Sequence, residues 1–172
     1  GQDATGLVST KKADKKSITE RFFTTRSKLG DENHGLANLI EILNEFQLPE
    51  GVKGVMNIKT QFLRLPTLAL RDLSQVFALK STNSFDRIRE IVEIGYLKAD
   101  FGKALISALN HISGIRLQLH IHYGSEKDTF AVDEISKTSL DQYVLTSKEK
   151  DGLDQALKIL REFYKHLTEF VP

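Results

Sequence analysis

Cysteine is absent from this sequence, and several other common signals are missing with it. The lack of cysteine excludes disulfides, thiolate metal sites and a cysteine nucleophile, and it fits a reducing compartment, so we expect a cytoplasmic protein. No apolar run approaches the roughly 18 residues needed to cross a bilayer. Residues 1–16 also lack the apolar stretch of a signal peptide. The net charge of +1 gives no field that would attract nucleic acid or a membrane surface, so we predict neither as a partner.

The short motifs of common catalytic sites are missing as well. There is no P-loop, no Gly-x-Gly-x-x-Gly, no Gly-x-Ser-x-Gly and no histidine pair at zinc-protease spacing. Nucleotidyl transfer needs two carboxylates at alternate positions of a strand to hold Mg²⁺, yet no Asp-x-Asp or Asp-x-Glu occurs. We therefore predict that this chain does not catalyse phosphoryl transfer by itself and holds no metal or cofactor of its own.

The histidines give no metal signal either. His120 and His122 alternate, so on a helix they would point about 200° apart and could not share an ion. We predict that all the histidines are polar surface residues: His34, His111, His120, His122 and His166.

Helical periodicity is what the sequence does contain, since apolar residues recur at three- and four-residue spacing through most of the chain. The predicted helices are Ser17 to about Leu29, Leu36 to Phe46, one opened by Leu65-Pro66, one capped by Asn83 or Ser84 and closed by Gly95, one from about Ala99 to Gly124, and one opened by a Thr146–Glu149 capping box. Residues 52–60 alternate and indicate a short extended piece or strand.

The connecting segments complete the predicted organisation. Residues 1–16 are polar and lysine-rich, and we interpret them as a disordered tail or linker before a helical domain at 17–172. Residues 125–145 are irregular but rich in apolar anchors, which predicts a loop lying on the core: Phe130, Val132, Ile135, Leu140, Tyr143 and Val144. The predicted fold is mainly α, an antiparallel helical bundle of five to six helices with at most one short strand or hairpin.

The longest predicted helix carries two stripes. Its apolar seam repeats at the heptad interval and is expected to be buried: Phe101, Leu105, Ala108, Ile112, Ile115 and Leu119. Beside it runs a stripe of small and polar residues: Ser107, His111, Gly114, Gln118 and His122. One interpretation is a solvated helix side with a tolerated glycine, which costs roughly 1 kcal/mol relative to alanine. The other is a polar cleft for a nucleotide or acceptor group, with Arg116 contacting an anion and His120 one turn further on.

A series of short segments carries a family resemblance. They are Asn57-Ile58-Lys59 followed by Leu65-Pro66, Asp72-Leu73 leading to Ala78-Leu79, the run Thr82 to Ile88, Ile115-Arg116-Leu117, and Leu145-Thr146 opening a helix with Leu153 and Ala156. In this order and spacing, over roughly residues 50–170, the chain resembles the putative nucleotidyltransferase substrate-binding domain. The resemblance implies a position after a nucleotidyltransferase domain, often with CBS or cyclic-nucleotide-binding domains, in bacterial signal-transduction proteins related to the uridylyltransferase of the PII nitrogen regulator.

The resemblance implies a helical substrate-binding module whose partner is a nucleotidyltransferase domain of the same polypeptide. Mg²⁺ and the nucleoside triphosphate would belong to that partner. The family-like polar positions are Lys59, Asp72, Asn83 and Arg116, to which the polar stripe adds His111 and Gln118 as candidate substrate-binding residues. The chain departs from the family in having Asn57 in place of an aspartate and His120 in place of a glutamine.

Each candidate also has a structural interpretation. Lys59 can be a surface lysine, Asp72 can pair with a basic neighbour on its helix, and Asn83 can be a helix cap. Arg116 can form a half-buried structural pair instead of a substrate clamp.

Two other functions remain as alternatives to the substrate-binding module. One is a protein-interaction or dimerisation bundle with no ligand, for which apolar residues on the last helix, such as Phe163 and Tyr164 if they do not both face the core, would be the surface. In that case the chain would form a homodimer. The other is an independent enzyme, for which no catalytic constellation is visible.

Overall fold

Five α-helices and two short strands make up residues 34–172, the part of the chain that the computed structural model describes. In chain order they are α1 (His34–Glu45), β1 (Val55–Asn57), α2 (Arg64–Val76), α3 (Ser84–Glu93), α4 (Ala99–Tyr123), β2 (Thr129–Ala131) and α5 (Ser147–Phe170), with a π-helical turn, Lys59–Leu63, leading into α2. The prediction of a mainly α bundle with little strand is confirmed. The predicted tail at 1–16 and the predicted helix from Ser17 to Leu29 lie outside the described residues.

The two long helices α4 and α5 form the centre of the bundle. His111, halfway along α4, contacts the carbonyl of Glu149 in the first turn of α5. His166, near the end of α5, contacts the carbonyl of Tyr96, just before α4 begins. The helices are therefore antiparallel. Both apolar seams are buried between them, and each buried large side chain stabilises the fold by roughly 1.5–3 kcal/mol relative to exposure.

Helix α1 packs against α2 at very short range, because Gly35 lies where the two backbones meet. A Cβ at position 35 would stand 2.8 Å from the carbonyl oxygen of Asp72 and 3.0 Å from the amide nitrogen of Val76. Backbone atoms cannot move aside as a flexible side chain can, so this approach of α1 to α2 requires glycine.

The predicted helix ends are confirmed where they depend on local sequence. Asn83 Oδ1 accepts from the Asp86 amide at 2.9 Å and begins α3. Thr146 and Glu149 form the predicted capping box of α5. Gly95 and Gly124 follow α3 and α4 with φ of 86° and 63°, left-handed values that glycine adopts at no steric cost.

The start of α2 agrees with the prediction to within one residue, because Leu65 and Pro66 lie in its first turn. The π-helical turn Lys59–Leu63, which was not predicted, extends the helical run upstream, and Asn57 Oδ1 caps this run by accepting from the amides of Lys59 at 3.0 Å and Thr60 at 2.9 Å. Gln61 Oε1 in return accepts from the Asn57 amide at 2.6 Å. Pro66 thus lies inside the helical run. The wider π-helical turn immediately upstream accommodates a residue that has no amide hydrogen to donate.

The strands form an antiparallel pair that closes one edge of the bundle. Met56 lies opposite Phe130, and Ala131 also bridges to Val144. The predicted short strand within 52–60 is therefore confirmed. Phe130 and Val132 are buried, as expected of a segment lying on the core.

The next part of that segment is not on the core, so the prediction for Ile135 and Leu140 is wrong. Their exposed fractions are 96% and 97%. The loop is closed by its own hydrogen bonds instead: Asp133 Oδ1 accepts from the Ser136 amide, and Gln142 Oε1 accepts from the Thr138 amide, each at 2.8 Å. These contacts satisfy the loop internally and leave the two aliphatic side chains projecting from the surface.

The surface prediction for the one histidine of α5 is also wrong. His166 is fully buried, with its ring centroid 4.5 Å from that of Tyr96, so it is not a surface histidine. Phe163 is buried and Tyr164 is half-buried, its hydroxyl donating to the Leu43 carbonyl at 2.8 Å. The last helix therefore does not offer these residues as an exposed apolar surface. None of the helices within residues 34–172 combines the length and apolar character needed to span a membrane.

Candidate functional site

Three polar side chains meet where α4 passes the start of β2. Arg116 Nε donates to Asp128 Oδ1 at 3.0 Å, and His120 Nε2 lies 2.7 Å from the same oxygen. The side chains of Arg116, His120 and Asp128 are 30%, 26% and 10% exposed. These three residues, here called the Asp128 cluster, form a partly exposed polar group in which the aspartate is the most buried member.

The Asp128 cluster adjoins the beginning of the helical run at Lys59. The carbonyl oxygen of Asp128 accepts from the Ile58 amide at 2.9 Å, and the strand register places Asn57 opposite Thr129. Lys59 itself is exposed. The structure thus brings two sequence-predicted site residues, Arg116 and Lys59, to the same edge of the bundle.

Asp128 has no counterpart among the predicted site residues. It lies in the irregular connection after α4, where no spacing rule links it to Arg116. The only local signal is its place immediately before the extended stretch that becomes β2.

Charge and hydrogen bonding determine the state of Asp128. Burial alone would raise the pKa of its carboxyl, but the hydrogen bonds from His120 and Arg116, with the positive charge of Arg116, hold that pKa below its ordinary value. Asp128 is therefore ionised at neutral pH. Asp128 contacts Arg116 only at Nε. The two Nη nitrogens of Arg116 have no hydrogen-bonding partner among residues 34–172.

Two tyrosines fix the segment that carries Asp128. Tyr123, the last residue of α4, donates its hydroxyl to the Thr129 carbonyl at 2.8 Å and accepts from the Tyr143 amide at 2.9 Å. The Nζ of Lys127 lies 4.6 Å from the Tyr123 ring centroid. Both neighbours of Asp128 are thus held against α4, which orients the cluster before any ligand arrives.

The polar stripe of α4 does not form one cleft with the cluster. His111 Nε2 lies 3.0 Å from the Glu149 carbonyl oxygen, and its ring packs where a side chain at Gly152 would otherwise stand. His122 Nε2 lies 2.6 Å from the Asp141 carbonyl oxygen. Gln118 is exposed. His111 therefore faces α5, and Gln118 stands apart from both histidine contacts.

The contacts of Asp72 and Asn83 are those of residues that support the fold. Asp72 is fully buried, 3.4 Å from the guanidinium of Arg71, and its Oδ2 has no hydrogen-bonding partner within the described part of the chain. Burial raises its pKa, and the charge and hydrogen bond of Arg71 offset that only in part. Asn83 caps α3 and also donates to Asp86 Oδ2 at 2.6 Å. Neither side chain lies in the Asp128 cluster.

The family-like run from Thr82 to Ile88 is likewise a structural connection. Glu90 accepts from the Ser81 amide at 2.7 Å and from the Ser81 hydroxyl, while Arg87 Nε donates to the Ser81 carbonyl at 3.2 Å. The hydrogen bond from Ser81 is the main reason that the pKa of Glu90 lies below its ordinary value. These contacts fix the turn between α2 and α3.

The fold and the cluster together define a helical module with a small, partly exposed polar cluster at one edge. Within residues 34–172, no three histidine, aspartate or glutamate side chains are placed to hold a metal ion. Residues 36–170 match the family described as "Putative nucleotidyltransferase substrate binding domain". The chain belongs to that family, a substrate-binding module associated with nucleotidyltransferases, and the resemblance seen in the sequence is confirmed. No curated protein matches the chain.

Proposed function

We propose that this chain binds the acceptor substrate of a nucleotidyltransferase domain in the same polypeptide, and that the Asp128 cluster contacts an anionic group of that acceptor. The family description supports a binding role beside such a catalytic domain. One observation carries the assignment of the site: Asp128 holds Arg116 through Nε alone, which leaves both Nη nitrogens available to a ligand. Mg²⁺ and the nucleoside triphosphate belong to the catalytic domain in this proposal.

The chemistry of the guanidinium favours a phosphate or carboxylate as the bound group. Arginine stays charged at all physiological pH values, and its planar donors match two oxygens of such an anion. A charged hydrogen bond of this kind contributes roughly 1.5–3 kcal/mol. The hydrogen bond to Asp128 already restrains the side chain, so binding loses less rotational freedom than it would with a free arginine. Lys59, exposed at the same edge, adds positive charge.

The biological setting is part of the proposal. A bacterial, cytoplasmic signal-transduction protein is the context that the resemblance implies. The absence of cysteine is consistent with a reducing compartment.

The test is binding of small anions to the isolated chain, followed by amide chemical shifts in NMR with inorganic phosphate and a nucleoside monophosphate as probes. We expect shifts centred on Arg116 and Asp128, and an affinity at least about tenfold lower for Arg116→Gln, because the loss of one charged contact costs roughly 1.5 kcal/mol or more. Arg89→Gln is the matched control, since Arg89 is an exposed helical arginine paired with Asp86 at 2.8 Å.

The proposed site would be overturned by equal weakening in the Arg116 and Arg89 variants, or by shifts centred elsewhere. In the parent polypeptide, Arg116→Gln should raise the KM for the acceptor and leave the KM for the nucleoside triphosphate unchanged. An effect on the triphosphate alone would contradict an acceptor site.

A further inference from the structure

Between Ser107 and His122, the exposed side of helix α4 has no charged side chain. From Ser107 to His122 the only Asp, Glu, Lys or Arg residue is Arg116, and its side chain donates to Asp128 and does not lie on the outer side of the helix. The exposed positions, here called the neutral face, are Ser107, Asn110, Ser113, Gly114, Leu117, Gln118, Ile121 and His122. Leu117 and Ile121 are 59% and 65% exposed. Since 27% of the chain is charged, eight exposed helical positions with no charge among them require an explanation.

The neutral face has the spacing of a helix-packing seam. Positions 107, 110, 114, 117 and 121 step by three and four residues, the same interval as the buried seam on the opposite side of α4. Such spacing keeps one straight line of side chains turned toward a second helix. At the middle of the line stands Gly114, and a Cβ built there meets nothing within 4 Å. Another backbone can therefore approach closely at this point.

The size of the side chains changes along the seam in a way that fits a second copy of the same helix. Small residues, Ser107 and Asn110, precede Gly114, and large apolar residues, Leu117 and Ile121, follow it. If two copies cross antiparallel at Gly114, each residue beyond the glycine meets one equally far before it. Leu117 then faces the region of Asn110 in the second copy, and Ile121 faces Ser107. Each large side chain thus meets a small one.

We propose that two copies of this chain associate through their neutral faces, with the α4 helices antiparallel and the two-fold axis at Gly114. The surface is complementary to itself in size, as a two-fold contact requires. The lack of charge removes the like-charge repulsion that a charged face would bring to a contact with itself. The association does not depend on ligand binding at the Asp128 cluster.

The dimensions of the face imply a weak dimer. Sixteen helical residues extend about 24 Å, and a stripe of that length buries on the order of 300–400 Å² per copy. A stable, specific interface buries about 800 Å² per partner. We therefore expect a reversible dimer that forms at high micromolar concentrations.

A single engineered thiol tests the position of the axis, because the chain has no cysteine of its own. A disulfide needs Cα atoms about 4.4–6.8 Å apart. In two antiparallel helices related by a two-fold axis, a residue lies that close to the same residue of the other copy only at the axis. Gly114→Cys should form a disulfide-linked dimer under mild oxidation. Gln118→Cys is the matched control, since its two thiols would lie about 12 Å apart along the helices. Mixing Asn110→Cys with Gln118→Cys should restore cross-linking between unlike chains.

Sedimentation velocity tests the same surface without cross-linking. The wild-type chain should shift toward dimer as concentration rises to about 1 mM, and Ile121→Lys should remain monomeric with an unchanged circular dichroism spectrum. Ile135→Lys is the control, because Ile135 is 96% exposed but lies outside α4. The proposal is overturned by a wild-type chain that stays monomeric, by equal effects of the two lysine variants, or by cross-linking of Gly114→Cys no better than that of Gln118→Cys. Phosphate binding should persist in Ile121→Lys, which separates this failure from that of the ligand site.

Discussion

The same glycine-to-alanine change should have opposite effects at two positions of this protein. At Gly35 an added methyl group would stand 2.8 Å from the Asp72 carbonyl oxygen and 2.8 Å from the Cβ of Gln75. At Gly114 it would meet nothing within 4 Å. The comparison reports on the packing of α1 on α2, because Gly35 lies in the first turn of α1 and Gly114 in the interior of α4, so helix propensity favours alanine mainly at Gly114.

The expected magnitudes follow from two opposing terms. Alanine in place of glycine stabilises a helix interior by up to about 1 kcal/mol. Overpacking a tight contact costs about 1–3 kcal/mol, and here the contact includes backbone that cannot move without separating the helices. Gly35→Ala should therefore destabilise the fold by about 1–2 kcal/mol. Gly114→Ala should stabilise it by about 0.5–1 kcal/mol.

Thermal and urea unfolding at low micromolar concentration, where the chain is monomeric, would measure both changes. For a domain of this size 1 kcal/mol corresponds to about 2–4 °C in Tm, so we expect a fall of about 3–6 °C for Gly35→Ala and a rise of about 2–4 °C for Gly114→Ala. A Gly35→Ala variant as stable as the wild type would show that α1 does not approach α2 as closely as the structure has it. A destabilised Gly114→Ala variant would refute the open surroundings of that position.

Three further substitutions have expected outcomes, two of which urea unfolding checks and one of which NMR checks. Asp72→Asn should raise the free energy of unfolding at pH 7. The pKa of Asp72 is raised in the folded protein, so the wild-type protein loses stability as pH rises and the buried carboxyl ionises, whereas asparagine stays neutral. The advantage of the variant should therefore vanish toward about pH 4. Asp128→Asn should lower stability at pH 7 by about 1–2 kcal/mol. That loss should shrink below about pH 4, because the folded pKa of Asp128 is lowered and its contribution disappears as pH falls through it. Gly152→Ala should displace the His111 ring, seen as a changed imidazole NMR signal, with a small loss of stability; an unchanged signal would contradict the contact.

The parts of the fold that sequence predicts well are those fixed by neighbours in the chain. The buried seam of α4 follows from heptad spacing. Gly124 ends α4, and Thr146 with Glu149 begins α5, because these caps act within a few residues. A helix cap or a buried seam can therefore be predicted from residues within one or two helical turns.

The features that sequence misses depend on distant partners. Ile135 and Leu140 are as apolar as core residues, but the hydrogen bonds that close their loop on itself are not visible in hydrophobicity. His166 is buried because Tyr96, far away in the chain, packs on its ring. Pro66 correctly marks the first turn of α2, but apolar periodicity gives no signal for the π-helical turn that Asn57 caps upstream of it. In each case a tertiary or competing local contact decides the outcome.

The candidate site divides in the same way. The family resemblance indicates Arg116 and Lys59 as polar positions. It does not indicate Asp128, which holds Arg116 in place. Its position depends on the pairing of β1 with β2, strands that are separated in the chain by α2, α3 and α4. Asn83 illustrates the opposite result, since its predicted role as a cap is local and is confirmed.

Helix α4 connects the candidate ligand site and the proposed dimer contact, and its geometry keeps them separate. Arg116 and Leu117 are adjacent in sequence, but adjacent helical residues point about 100° apart. Arg116 therefore turns toward Asp128 while Leu117 remains on the neutral face. Because the Asp128 contact fixes the guanidinium through Nε, a second copy covering Leu117 need not move it. Phosphate affinity should thus be the same for the monomeric and dimeric chain, and an affinity that rises with protein concentration would show instead that the second copy completes the site.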